Sequence, residues 1–138
     1  MNEFWINVIH ACDHQPDHYR DYIDGQRALQ LMDSQGRERG ELVWRLATGH
    51  TVEITELGIY DPQDRRQGWG SKLLEAAMED MRSFLGQREE TLRRVYLFCE
   101  AKNVEARAFY EKQGVRLGAL LENFYVDGDA ALYMLFVK

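Results

Sequence analysis

The sequence predicts an α/β fold (α+β in some schemes): a single domain over residues 1–138, built on a mixed, mostly antiparallel sheet with one central parallel strand pair, flanked by helices. Three observations predict it. Short apolar runs rich in β-branched and aromatic residues recur along the chain and read as strands. Two of them, at 51–60 and 93–100, enclose an amphipathic helical pattern, and a strand–helix–strand crossover makes a parallel, right-handed unit. The other runs are joined by short turns carrying Gly, Asp and charged residues, the chemistry of antiparallel hairpins.

Residues 4–9 (FWINVI) read as the first strand. The polar stretch 13–26 carries Pro16 and predicts one short helix over 17–23. Residues 28–32 and 41–46 pair as a hairpin across the charged turn DSQGRERG, with Gly36 and Gly40 in the turn. In the strand 51–60, Val52 and Ile54 alternate in one phase and Leu57 and Ile59 in the other. A slip of one residue at Thr55 and Glu56 is what a β-bulge produces, and bulges re-aim side chains beside active sites. A strand buried on both faces gives the same pattern, so both readings stand at this level.

The helix 69–85 sets Trp69, Leu73, Ala77 and Met81 on one stripe with Leu74, Met78 and Leu85 beside it. Ser71, Lys72, Glu75, Glu79, Asp80 and Arg82 are left to water, and Gly86 supplies the stop. After the strand 93–100, Asn103 caps a second helix that ends at Gly114. Two last strands, 115–123 and 130–137, meet at a turn containing Asp127 and Gly128.

A net charge of −6, with Lys and Arg scattered rather than striped, argues against a nucleic-acid partner and mildly favours a cationic one. Cys12 and Cys99 lie far apart, as reduced thiols of a cytoplasmic protein do. No basic leader precedes an apolar stretch and no run approaches a membrane span, so a soluble, cytoplasmic protein without a membrane partner is expected. His10, His14 and His18 are spaced by four, but Pro16 breaks the helix that would align them and His10 ends a strand; no metal site is expected. His50 falls in a turn, where solvation accounts for it.

The most informative stretch is LGIYDPQDRRQGWGSKLL, residues 57–74. An extended run, a Pro-containing turn, Gly68 and Gly70 precede an amphipathic helix whose open N–H groups and positive dipole end face one point, the makings of an anion cradle. A P-loop is excluded because Ser71 and Lys72 follow Gly70 in the wrong order. A dinucleotide fingerprint fails because Leu73 stands at its third glycine and no acidic strand end follows near position 90. A glycine-rich turn that only connects strand to helix is the bland alternative.

The pattern that remains, R-x-x-G-x-G from Arg65 to Gly70, resembles the acetyl-CoA-binding motif of the GCN5-related N-acetyltransferase (GNAT) superfamily. The apolar strand 93–100 and NVEARAFYEKQG at 103–114, similar to the family's N-x-x-A-x-x-F-Y-x-x-x-G segment, follow in the family's order. The resemblance covers residues 40–137; Val115 stands where the family usually has an aromatic residue. It implies a GNAT-like sheet whose parallel pair is splayed, and transfer of an acetyl group from acetyl-CoA to a primary amine by direct attack, with no metal.

Backbone N–H groups from Arg66 through Gln67, Gly68, Trp69 and Gly70 to Ser71 would hold the diphosphate, with the Ser71 hydroxyl and the Arg65 and Arg66 guanidinium groups as further donors. Gly58, Ile59 and Tyr60 would pair with the pantetheine arm, which Asn103 would also contact. Tyr110 falls where the family places a tyrosine near the sulfur, suited to protonating the departing thiolate, and a backbone N–H near Tyr60 would stabilise the oxyanion. Glu53 or Glu56 would be the base, although solvation on an open sheet face explains both equally. Cys99, without a neighbouring His, is no nucleophile.

The tail 122–135 is similar to the closing hairpin of members that acetylate protein N-termini, which would put Tyr125 at the acceptor. The region before the first hairpin is short for the family and leaves the acceptor open between small amines and protein N-termini. A non-catalytic acyl-CoA sensor is the alternative, and an exposed C-terminal strand would suit a homodimer.

Overall fold

The computed structural model describes residues 3–10 and 26–137. Seven strands form: β1 (Trp5–His10), β2 (Gln26–Met32), β3 (Glu38–Thr48), β4 (Thr51–Ile59), β5 (Arg94–Glu100), β6 (Arg116–Tyr125) and β7 (Gly128–Phe136). The helices are α1 (Trp69–Gly86) and α2 (Val104–Lys112). One sheet of order β1-β2-β3-β4-β5-β7-β6 results. Every neighbouring pair is antiparallel except β4 and β5, which α1 connects as a parallel crossover. The mixed α/β architecture with a single parallel pair is the one the sequence predicts. The helix expected over 17–23, together with Cys12, His14 and His18, lies outside the described residues.

The slip in β4 is a bulge. Val43 of β3 faces Glu56 and the next residue, Trp44, faces Ile54, so Thr55 is the extra residue. Thr55 and Glu56 are exposed, which removes the reading of a strand buried on both faces. The parallel ladder to β5 runs from Thr51 only to Ile54, opposite Leu97, although both strands continue beyond it. From the bulge onward the two strands are no longer paired.

On one face of the sheet, α1 buries Leu73, Leu74, Ala77, Met78, Met81 and Leu85 against Leu29, Leu31, Leu42, Trp44, Val52, Ile54, Val95 and Leu97. Each large side chain removed from water in this way contributes about 1.5–3 kcal/mol as an upper bound. Asp80 does not face water as expected: it accepts from Trp44 Nε1 at 3.0 Å and from Arg27 Nε and Nη2 at 2.8 and 3.0 Å. A fully buried indole needs an acceptor for its N–H, and the helix supplies one. Ser71 is likewise half-buried, its Oγ accepting from Gln113 Nε2 at 2.8 Å.

Three glycines depart from their expected roles. Gly40 lies inside β3 rather than in the turn, and a side chain is excluded there since a Cβ would stand 2.6 Å from the Gly58 carbonyl oxygen. The turn itself is shorter, held by the Asp33 carboxylate, which accepts from the Gln35 and Arg37 N–H groups at 2.9 Å each. Gly86 ends α1 without a left-handed φ, and the reversal falls instead at Glu89, with φ 59°. Gly128 opens β7 rather than sitting in the turn before it.

Candidate active site

The N-terminus of α1 is built to leave its N–H groups open. Gly68 takes the N-cap position at φ 88° and ψ 2°, a conformation a side chain would strain, and no side chain caps it. The first intrahelical bond runs from Lys72 N–H to Gly68 O at 3.1 Å, so the N–H groups of Trp69, Gly70 and Ser71 have no helical acceptor. Arg66, at φ 61°, turns the preceding backbone as well. Gly70 has a different reason for being glycine: its missing Cβ would lie 3.0 Å from the Phe109 ring, and this contact seats α1 against α2.

Several side chains assigned to the ligand by sequence act as braces. Arg65 donates from Nε to the Ile59 carbonyl at 3.0 Å and approaches Glu105 at 4.0 Å; both Arg65 and Arg66 are exposed. Gln67 donates to the Gln63 carbonyl at 2.6 Å. The Trp69 ring packs on Phe4 with centroids 5.1 Å apart, and the Lys72 ammonium lies 4.5 Å from its centre. In the 3-10 turn Pro62–Asp64, Asp61 caps the Gln63 N–H at 2.9 Å, and Asp64, 2% exposed, accepts from Arg39 Nε and Nη2 at 3.0 and 2.8 Å. The Tyr60 N–H, expected near the oxyanion, is given to the Arg39 carbonyl at 3.0 Å.

Where β4 and β5 part, a cavity of about 430 Å³ opens. β4 lines it from Ile54 to Gly58 and β5 from Leu97 to Glu100; Asn103 comes from the N-cap of α2 and Ala106 and Tyr110 from α2 itself, with Glu41 and Tyr60 at the other side. The register makes it a slot through the sheet. Ile54 and Leu97 face the helices, whereas Glu56 pairs with Val43, the residue between buried Leu42 and Trp44, and so points to the opposite face with Glu41. Cradle and slot adjoin: Arg65 touches Ile59, and Gly70 abuts Phe109, the residue before Tyr110.

Tyr110 is 7% exposed, and burial, with the nearby Cys99 thiol, pushes its phenol up to about 12. No hydrogen bond ties its hydroxyl to the backbone among the described residues. Burial also raises the Cys99 thiol, with Arg107 opposing and Glu100 reinforcing, so the thiol stays protonated and is a poor nucleophile. Asn103 lines the slot while its Oδ1 accepts the Ala106 N–H at 3.1 Å, so capping and ligand contact coexist as the sequence allows.

The glutamates separate. Glu53 does not line the slot; Arg45 holds its carboxylate at 2.7 and 2.8 Å, and the Tyr96 hydroxyl lies 3.5 Å away. Glu56 does line it. Beside Glu56 stands Glu41, which sequence reasoning missed: burial, a hydrogen bond with Glu56, and the charges of Glu38 and Glu56 raise its carboxyl to about 7, against a lowering contact from Tyr60. Only the cross-strand register reveals it, since Glu41 pairs with Gly58, two places from Glu56. Burial and the Glu41 and Glu38 charges raise the Tyr60 phenol in turn.

Tyr125 does not line the slot but closes an aromatic row that begins there. Phe98 stacks on Phe124 at 4.9 Å, Phe124 meets Tyr125 edge-on at 5.1 Å, and Tyr96 meets Phe98 at 5.9 Å. The Tyr125 phenol is raised by burial and by Cys99 and Glu100. His50 Nδ1 lies 2.9 Å from the Thr91 carbonyl. Among the described residues no cluster of His, Cys, Asp and Glu could hold a metal ion, and no helix is long and apolar enough to cross a membrane.

The chain is 35% identical over 86 residues to the N-alpha-acetyltransferases of Saccharolobus solfataricus and Sulfurisphaera tokodaii, a match covering 62% of this chain and 46% of each relative. It thus spans about half the length of the curated relatives it matches. A GNAT family acetyltransferase from Elizabethkingia anophelis, solved with acetyl-CoA bound, superposes with a TM-score of 0.75 at 16% identity, covering 97% of this chain and 98% of the other. The ribosomal-protein-S18-alanine N-acetyltransferase of Escherichia coli gives 0.72 at 20% identity, covering 99% and 95%. The family model described as "Acetyltransferase (GNAT) family" matches residues 18–115, a span that takes in the bulged strand, the glycine turn and α2, and the chain belongs to that family.

Proposed function

We propose that the protein transfers the acetyl group of acetyl-CoA to the amino terminus of a peptide or protein, by direct attack of the amine on the thioester. The observation that carries this reading is the slot where β4 and β5 stop pairing at Ile54 and Leu97, lined by residues of both faces of the sheet and adjoining the uncapped start of α1. The open N–H groups there, with Arg66 exposed beside them, suit a diphosphate. From that point the pantetheine arm runs along the unpaired edge at Gly58 and Ile59, past Asn103, and brings the thioester between the strands. Tyr110 stands on the helix side, where the sulfur departs, and burial keeps its phenol protonated and so able to donate to the leaving sulfur.

The opposite face receives the amine. An acidic wall of Glu41 and Glu56 suits an ammonium, and the Phe98–Phe124 stack beside it suits an apolar side chain next to the amino group. A first residue of a peptide offers both. The resemblance to N-alpha-acetyltransferases favours the same acceptor over a polyamine.

Thiol release from acetyl-CoA, measured with short peptides of free and blocked N-terminus, lysine and spermidine, tests the reading. Release with free-N-terminal peptides is expected to lead. Saturable binding of coenzyme A with no release on any amine would point to a non-catalytic sensor instead.

A further inference from the structure

We propose that Glu41, on β3 opposite Gly58 and beside Glu56 at the acceptor mouth of the slot, takes the proton that the incoming ammonium must lose before it attacks. This rests on the acetyltransferase reading and names the base that the cofactor motif does not supply. Glu53, one of the two glutamates that the resemblance offers, is held by Arg45 away from the slot.

Three observations converge. Glu41 lines the slot from a strand other than the two that part, facing the sheet side opposite Tyr110, so base and acid would stand on opposite sides of one thioester. Glu41 pairs with Gly58, and the missing side chain there leaves the space above Glu41 open; a Cβ at Gly58 would meet nothing within 4 Å. Finally, burial first and then the groups around it raise the Glu41 carboxyl to about 7. Glu38 from its own strand, Glu56 from β4 and Tyr60 beyond β4 act on it, and Cys99, Glu100 and Tyr110 line the rest of the slot. β2 offers Gln30, which is uncharged, and Arg39 is committed to Asp64.

A carboxyl that titrates near the working pH is a far better proton acceptor than one in the ordinary range. The ionised Glu41 removes one proton from the ammonium, and the neutral nitrogen forms the C–N bond to the thioester carbon. Collapse breaks the C–S bond, the pair stays on sulfur, and Tyr110 protonates it. The second nitrogen proton returns through water to Tyr110, and Glu41 sheds its proton to solvent. The sum is amide, free thiol and one released proton.

The test is kcat/KM for a peptide acceptor between pH 5.5 and 9, in wild type and in Glu41→Gln, with coenzyme A affinity measured by calorimetry. Wild type is expected to gain activity through an inflection near pH 7, and Glu41→Gln to lose that inflection and on the order of a hundredfold in kcat/KM while its coenzyme A Kd stays within twofold. Folding of the variant is checked at pH 8, where removing a carboxylate held in an unfavourable place should raise the melting temperature. Glu41→Asp, which keeps the charge on a shorter arm, should retain the inflection with a reduced rate. An inflection unchanged in Glu41→Gln, or a rate within threefold of wild type, overturns the assignment to Glu41 and leaves the acetyltransferase standing. Wild type that binds coenzyme A and acetylates nothing overturns both.

Discussion

Replacing Tyr110 with Phe deletes one oxygen from a buried ring whose packing against Phe109 and Tyr133 is otherwise kept. If the hydroxyl serves the thiolate, kcat should fall roughly 10²-fold while the coenzyme A Kd is unmoved; steady-state kinetics beside calorimetry would reveal an equal loss in both, the mark of a merely structural ring. Gly70→Ala probes the cradle differently, because its Cβ would press on the Phe109 ring at 3.0 Å and the ring would have to give by a few tenths of an ångström. A cost of about 1–3 kcal/mol is expected, recovered in part by pairing it with Phe109→Leu; denaturant melts of single and double variants decide this. Residues of this kind differ in how visible they are to sequence reading. Gly68 and Asn103 announce themselves because a left-handed N-cap and a side-chain cap leave motifs in the chain, whereas Glu41 and Asp80 matter through partners on other strands and helices, and nothing adjacent to them in sequence says so.

Among the elements, the turn Pro62–Asp64 joins the unpaired end of β4 to the cradle, and Arg39 of β3 clamps it through Asp64. Arg39→Met removes one ion pair from this buried carboxylate and should destabilise the fold by about 1–3 kcal/mol. Because the turn sets where the open N–H groups point, coenzyme A affinity should fall in the same variant, and calorimetry at a temperature well below the melt separates the two effects. The bulge was legible at this scale, since the change of phase from Val52 and Ile54 to Leu57 and Ile59 survives in the order of residues. The extent of the slot was not, because it depends on β5 ceasing to pair with β4, and β5 itself keeps a regular pattern.

For the whole molecule, the mixed sheet with one parallel pair was legible in hairpins joined by turns and one crossover helix, whereas the placing of β7 rather than β6 beside β5 was not. Coenzyme A at a hundred times its Kd should stabilise the fold by about 2.7 kcal/mol and raise the melting temperature by on the order of 8 °C, which differential scanning fluorimetry can read. Stability should also depend on pH in two opposed ways. The Asp33 carboxyl is held below its ordinary value by the Arg37 and Gln35 N–H groups and by the Arg37 and Arg39 charges, against burial. Its contribution is therefore present above the ordinary carboxylate value and lost as acid carries the protein below the folded one; a melting-temperature gap between wild type and Asp33→Asn should close under acid. Glu41 has the opposite sign, favouring the fold while protonated and ceasing to do so as pH rises through about 7.

Thr55 is one residue without a counterpart on the neighbouring strand, and it interrupts the ladder at the point where β4 leaves β5. Excising it would leave Glu56 opposite Val43 and Leu57 opposite Leu42, on the faces they already occupy, and would let β4 and β5 zip together past Ile54. The opening for substrate is in this sense a miscount built into the sheet, and restoring the count should yield a sturdier protein with nowhere to put a thioester.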